Sequence, residues 1–212
     1  MTKQNIVVDP ASTPAAAIYK LLIGAVVPRP IAFVSTVSAD GIFNLAPFSF
    51  FNVICAEPPT VCFSTGFRDP LKDTLINVRA TGEFVVNIVS EEFAEKMNAT
   101  SGDYPHGVDE FQISGLTPVP SDLVKPPRVG ESRFQMECKL HQIVEVSTRP
   151  HGGTLILGEV VRFHIDEEIV ADHLRIDPDK LRAIGRMGGA AYTRTHDRFE
   201  MERPRVSGKR QA

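Results

Sequence analysis

The chain has 212 residues, 42% of them hydrophobic and 23% charged, with 23 Lys and Arg against 26 Asp and Glu. This composition suits a folded chain with one large domain or a small pair, and it excludes disorder throughout. The net charge of −3 lacks the basic excess of a nucleic-acid binder, no run reaches the ~18 apolar residues of a membrane span, and the start has no basic and then apolar leader. The expectation is a cytoplasmic protein with no nucleic-acid or membrane partner.

Ser12-Thr13-Pro14 predicts a helix start leading into residues 15–23, with a capping hydroxyl and a proline in the first turn. Residues 31–37 are β-branched and aromatic and read as a strand. Asp40-Gly41 then supplies a hairpin turn, and a return strand from Ile42 runs on to Ile54, interrupted at Pro47, where a missing N–H points to an edge or a bulge. Residues 59–64 and 83–89 predict two more strands. Between them Asp69-Pro70 is expected to cap a helix through about Ala80 that Gly82 ends.

Residues 91–98 predict another helix. Residues 100–130 are rich in Gly, Pro, Ser and Asp and read as a long loop serving a site or a partner, with too few apolar residues for a core of their own. Two long strand-like runs, 134–147 and 154–165, form an expected antiparallel pair. Asp177-Pro178 is expected to start a last helix that Arg186-Met187-Gly188-Gly189 ends, and the chain from Glu202 onward, with Arg203, Arg205, Lys209 and Arg210, is expected to be unstructured. About six strands joined mostly by short turns favour an antiparallel β-barrel core with peripheral helices over a parallel sheet, which needs helix crossovers.

Several enzyme classes lack their parts. The sequence has no Gly-x-Gly-x-x-Gly after a strand, no phosphate-loop motif, no Gly-x-Ser-x-Gly elbow and no His-Glu-x-x-His pair. No metal-ligand set is expected, and Cys55, Cys62 and Cys138, all in apolar strand-like runs, are expected to be buried and inert thiols. The strongest local signal is the run from Ser64 through Arg68-Asp69-Pro70-Leu71-Lys72-Asp73-Thr74. A helix start there offers N–H groups, a lysine and hydroxyls to a phosphate, while a plain capped surface helix is the equal alternative. Asn44-Leu45-Ala46-Pro47-Phe48-Ser49-Phe50-Phe51-Asn52 mixes flat apolar surface with hydrogen-bonding groups, as a pocket for a planar heteroaromatic would, although phenylalanines in a strand are more often core.

Together with Pro28-Arg29-Pro30-Ile31-Ala32-Phe33-Val34-Ser35-Thr36, Glu57-Pro58-Pro59, residues 81–88, Glu137-Cys138, Gly158-Glu159-Val160-Val161 and residues 186–192, these motifs resemble the flavin reductase-like, FMN-binding split-barrel family that includes flavoredoxin. The resemblance spans residues 19–192, with residues 1–18 as an N-terminal extension and 193–212 as a polar, basic tail. It implies an antiparallel split β-barrel, a homodimer with FMN in an interface cleft, and hydride transfer from NADH or NADPH to FMN and on to an acceptor such as a flavin-dependent oxygenase. Ser35, Thr36, Ser64, Lys72 and Thr74 are implied for the phosphate and ribityl chain, and Ala46, Pro47, Ser49 and Asn52 for the ring. Asp73, an acid beside a phosphate, is expected to receive backbone N–H groups in the first helical turn, with ribityl contact as the other reading. Arg186 and Gly188 could reach the cofactor or could simply end a helix. No catalytic acid or base is required, because flavin carries the chemistry. An electron carrier of the flavoredoxin type and a non-flavin module, such as a haem binder, on the same barrel are the competing readings.

Overall fold

The computed structural model describes residues 4–204, so Arg205, Lys209, Arg210 and most of the expected unstructured tail lie outside the described residues. Helix α1 (Ala15–Ala25) is followed by β1 (Ala32–Val37), β2 (Phe43–Phe48), β3 (Phe51–Ala56), β4 (Pro59–Gly66), α2 (Asp73–Thr81) and β5 (Glu83–Ile88). Next come α3 (Ala94–Ala99), α4 (Glu110–Ser114) and two short strands, β6 (Pro118–Val119) and β7 (Arg128–Val129). The long pair is β8 (Phe134–Ser147) and β9 (Gly153–Ile165). The described chain closes with β10 (Val170–Ala171), β11 (Arg175–Ile176), α5 (Pro178–Leu181), β12 (Ile184–Arg186) and β13 (Tyr192–Arg194). Among the described residues, no helix is long and apolar enough to cross a membrane.

Seven strands pair antiparallel in the order β2-β1-β5-β8-β9-β4-β3. The sheet curls until its ends meet: the ring of Phe48, on edge strand β2, lies 5.0 Å from that of Phe63 on β4, and Phe63 meets Phe84 of β5 edge-on at 5.4 Å. Val34, Val61, Val86, Met136 and Ile156 fill the interior, and Leu75 and Val78 on α2 plug one end. Three register shifts between β8 and β9 add the local twist that this closure needs. Gly158 is required by packing, because a Cβ there would collide with the Phe84 ring. The fold is the expected mainly-β split barrel with peripheral helices.

Pro47 sits inside β2 without breaking it. An edge strand has one side free of ladder bonds, so the missing N–H costs nothing there. The chain turns instead at Ser49-Phe50. A second core covers the outer face of β1 and β2, where Phe33 and Leu45 pack with Phe93, Met97, Phe111, Leu116, Val129 and Ile184. Residues 100–130 are therefore a layer of the domain, with Phe111, Leu116 and Val124 buried in it.

Three further expectations are corrected. The helix placed at Asp69-Pro70 begins at Asp73, with Lys72 as its N-cap, because proline disfavours helical backbone at Asp69 and Leu71 turns in to pack against the barrel core. The helix placed between Asp177 and Gly189 stops at Leu181: Arg182 adopts left-handed backbone (φ 50°), and the following residues are captured by strand-like pairing, Ile184 N–H to Val89 and Arg186 with Arg29 in both directions. Of the cysteines, Cys138 alone is fully buried. Cys55 is exposed with Val53 and Ile54, because no described residue covers β3 there.

The loop between β6 and β7 is tied to β8 by Glu137, whose side chain is fully buried. Its carboxylate accepts the N–H groups of Asp122 and Leu123, each at 2.7 Å, and lies 2.6 Å from His164 Nε2. Burial works to raise its pKa, but the Asp122 N–H, His164 and the Leu123 N–H together hold it below the usual carboxylate range. An acid with a lowered folded pKa stabilises fully above its unfolded pKa, and that contribution is lost as pH falls through the folded value. Glu137→Gln should lower stability by about 2–4 kcal/mol in urea unfolding at neutral pH. The gap from wild type should close as pH falls to about 3.

Candidate functional site

The N-terminus of α2 stands on a buried polar network. Asn44 Oδ1 accepts from Thr74 Oγ1 at 2.8 Å and from Thr36 Oγ1 at 3.2 Å, and Asn77 Nδ2 donates to Thr36 Oγ1 at 3.0 Å. On its other side Asn44 Nδ2 donates to Glu110 Oε2 at 2.8 Å, and the same oxygen accepts the Leu45 N–H at 2.9 Å. β1, β2, α2 and α4 are thus joined through one amide. Burial pushes the Glu110 carboxyl above its ordinary pKa, against the pull of the Leu45 and Asn44 donors.

Beside this network lies a cavity of about 70 Å³, walled by Asn44, Ala46, Pro47, Arg68, Lys72, Asp73, Thr74 and Glu110, and on its far side by residues 100–102 and Tyr104. The Lys72 ammonium makes no hydrogen bond or ion pair among the described residues, and burial, reinforced by the Arg68 charge, pulls its pKa down. Arg68 Nη1 pairs with Asp103 at 2.7 Å, while its Nε is the one buried side-chain polar atom without a partner among the described residues. Asp73 does not cap its own helix. It receives the Gly107 N–H at 3.0 Å and contacts His106 Nδ1, clasping the 100–107 segment onto α2.

The structure therefore brings Lys72, Asp73, Thr74, Ala46 and Pro47 to one cavity. Thr36 lies beneath it, spent on Asn44 and Asn77. Ser35 faces the opposite layer, since neighbouring strand residues point to opposite faces; its hydroxyl donates to the Pro127 carbonyl. Ser49 belongs to a second junction, built by the buried Arg29. Arg29 donates to Ser49 Oγ at 3.4 Å, to the Ile23 and Val26 carbonyls at the end of α1 at 2.7 Å each, and to the Met187 carbonyl at 3.0 Å. Gly188 backs onto Gly24 of α1 there, whereas the Arg186 guanidinium lies over the Tyr192 ring at 4.4 Å and donates to the Gly189 carbonyl. Asn52 is exposed on β3 with its Oδ1 on the Val53 N–H, and Ser64 is half-buried on β4; neither lines the cavity.

Similarity to known proteins places the chain in a family. The flavin reductase like domain model matches residues 24–185. The chain belongs to the flavin reductase-like family. The chain is 47% identical over 184 residues to an uncharacterised protein of Aquifex aeolicus, covering 86% of this chain and 92% of the relative. Its structure resembles nitrilotriacetate monooxygenase component B from Bacillus cereus, with a TM-score of 0.90 at 33% identity over 94% of this chain and all of the other. It shares its fold with the split-barrel domain protein of Shewanella frigidimarina, at a TM-score of 0.80 and 22% identity over 92% of this chain and 96% of the other.

Sequence reasoning missed Asn44, Arg68, Glu110 and Arg29 as members of these junctions. Asn44 and Arg68 lie inside runs already marked by their composition, but Glu110 stands 66 residues from Asn44 in a stretch with no local signal. A glutamine at 110 could accept both donors without burying a charge. Since a raised carboxyl pKa means that ionisation costs stability above the unfolded pKa, Glu110→Gln should stabilise this flavin reductase-like protein by up to about 1 kcal/mol at pH 8 and change nothing at about pH 4, measured by urea unfolding.

Proposed function

We propose that the protein binds FMN and passes hydride from NADH or NADPH through it to an acceptor. The observation that carries the reading is the small cavity at the start of α2. Its volume of about 70 Å³ compares with the ~30 Å³ share of one water, so it suits a phosphate group and is too small for a flavin ring. Lys72, the first N–H groups of α2 and the unpaired buried Nε of Arg68 are the donors such a dianion takes. Residues and group fit.

On this reading the Thr36, Thr74 and Asn44 network positions the α2 N-terminus and leaves phosphate contact to Lys72 and Arg68. Ala46 and Pro47 offer the ribityl chain and the ring an apolar edge that leads from the cavity toward Ser49. Arg29 fixes Ser49 and the 186–188 segment around the ring position, and Asn52 and Ser64 flank it. Bound there, the flavin supplies the hydride-accepting ring, while the chain binds and orients it and leaves one face open for nicotinamide. Tyr19, Leu21 and Leu22 of α1 and Val53 and Ile54 of β3 are exposed apolar surface. A second copy covering them makes the working unit a homodimer. The resemblance to a monooxygenase component supports a flavin-dependent oxygenase as the consumer of the reduced flavin.

Lys72→Ala should weaken FMN binding by about ten- to a hundredfold and leave riboflavin almost unaffected, because only FMN carries the phosphate. Parallel losses for the two flavins would remove the assignment. In anaerobic stopped flow the FMN-loaded protein should bleach rapidly with NADH or NADPH; no bleaching with either would make it a carrier reduced by another protein. Light scattering of the loaded protein should give twice 23.3 kDa.

A further inference from the structure

We propose that Asp103 is an internal competitor for the phosphate subsite: its carboxylate occupies Arg68 in the ligand-free protein and releases the guanidinium when a phosphate-bearing flavin enters. The inference rests on the FMN reading above and adds to it an affinity-setting contact on the 100–107 segment.

Two acids line the cavity and are committed to the scaffold, and a third, Asp103, stands between the lining residues Gly102 and Tyr104. Glu110 is 7% exposed and holds the donors of Asn44 and Leu45. Asp73, 14% exposed in its side chain, holds the Gly107 N–H and His106. Asp103 differs from both. Its side chain is 86% exposed, and Arg68 is its one partner among the described residues. The segment that carries it is fixed on either side, by Thr100 Oγ1 on the Met97 carbonyl and Tyr104 Oη on the Ala99 carbonyl, each at 2.8 Å, and further on by the Asp73 clasp at Gly107. Asp103 therefore sits at the crest of a strap whose feet are tied, where a side-chain rotation suffices to withdraw it.

Arg68 is equally marked as waiting for a better partner. It has five N–H donors, one of them bonded to Asp103 and another, Nε, buried without a partner. A carboxylate reached end-on leaves that donor unpaired, whereas a phosphate inside the cavity can meet the guanidinium with two oxygens. An exposed ion pair contributes little, so a dianion also held by Lys72 and the α2 N-terminus displaces it. A weakly bound monoanion, which cannot use all of these donors, does not. Asp103 thus lowers the affinity of any ligand that must take Arg68 and leaves untouched a ligand that does not. The attraction of Lys72 to Asp103 and its repulsion by Arg68 are in keeping with two cations balanced by a surrogate anion.

The test follows release of FMN or riboflavin from the loaded full-length chain on dilution, through the recovery of flavin fluorescence. Asp103→Asn should tighten FMN about three- to tenfold and leave riboflavin unchanged. Asp103→Ser should act in the same direction, so the result does not hang on one replacement. Arg68→Met should weaken FMN selectively and abolish the gain from Asp103→Asn in the double variant, as expected for two residues acting on one contact. Unchanged or weaker FMN binding in Asp103→Asn, or an equal gain for riboflavin, overturns the competitor while Arg68→Met still discriminates between the flavins. If Arg68→Met and Lys72→Ala affect the two flavins alike, the phosphate assignment falls and this inference falls with it.

Discussion

A carboxylate held at 7% exposure must be matched by donors, and the way Glu110 is matched organises this protein. Its Oε2 takes one side-chain and one backbone donor, Asn44 Nδ2 and Leu45 N–H, from adjacent positions of edge strand β2. That fixes which end of the Asn44 amide faces which neighbour. With the nitrogen on Glu110, the oxygen must face Thr36 and Thr74, so the first turn of α2 can dock in one orientation only. The short helix α4, which carries Glu110, thereby reaches across the outer layer to set the geometry of a helix that plugs the barrel.

The two hydrophobic layers depend on the same junction. β1 alternates strictly, with Ala32 and Val34 in the barrel interior and Phe33 in the outer core, and β2 follows with Phe48 inside and Leu45 outside. A strand pair that serves two cores cannot slip in register without exposing both. Thr36, Asn44 and Thr74 stand where the inner core ends, and they replace apolar contact by hydrogen bonds at the one place where the barrel mouth opens to a cavity. Site and fold are held by one set of bonds, so the cavity walls are as rigid as the sheet beneath them.

Much of this was legible along the sequence because it is encoded locally. The 31–37 strand, the Asp40-Gly41 hairpin, the Gly82 helix end and the long 134–165 pair all follow from β-branched runs and turn residues, and each forms close to where expected. What local pattern could not reveal was capture by distant backbone. Residues 184–186 carry a helix-like context but are claimed by Val89 and Arg29, and residues 100–130 look too polar to pack until the outer face of β1 and β2 supplies the other half of their core. The site shows the same division. Lys72, Asp73 and Thr74 announce themselves as a helix start, whereas the roles of Asp73 and Glu110 are defined by Gly107 and Asn44, partners far away in the chain.

Ser35 and Thr36 show most plainly how motif and geometry part company. Adjacent in a motif, they look interchangeable as hydroxyl donors, yet on a strand they must face opposite layers, and each is consumed by its own layer, Ser35 by the Pro127 carbonyl and Thr36 by Asn44 and Asn77. The Thr36 and Thr74 hydroxyls beside the cavity are already spent on Asn44, and what remains free there among the described residues is cationic: Lys72 and the unused donors of Arg68. A site whose neutral donors and acids are engaged in holding position, and whose spare groups are positive, suits the anion proposed above. Reactivity in such a site comes from the molecule that the anion anchors, which is why a flavin reductase-like chain can lack any motif of acid, base or nucleophile and still have a defined place for chemistry.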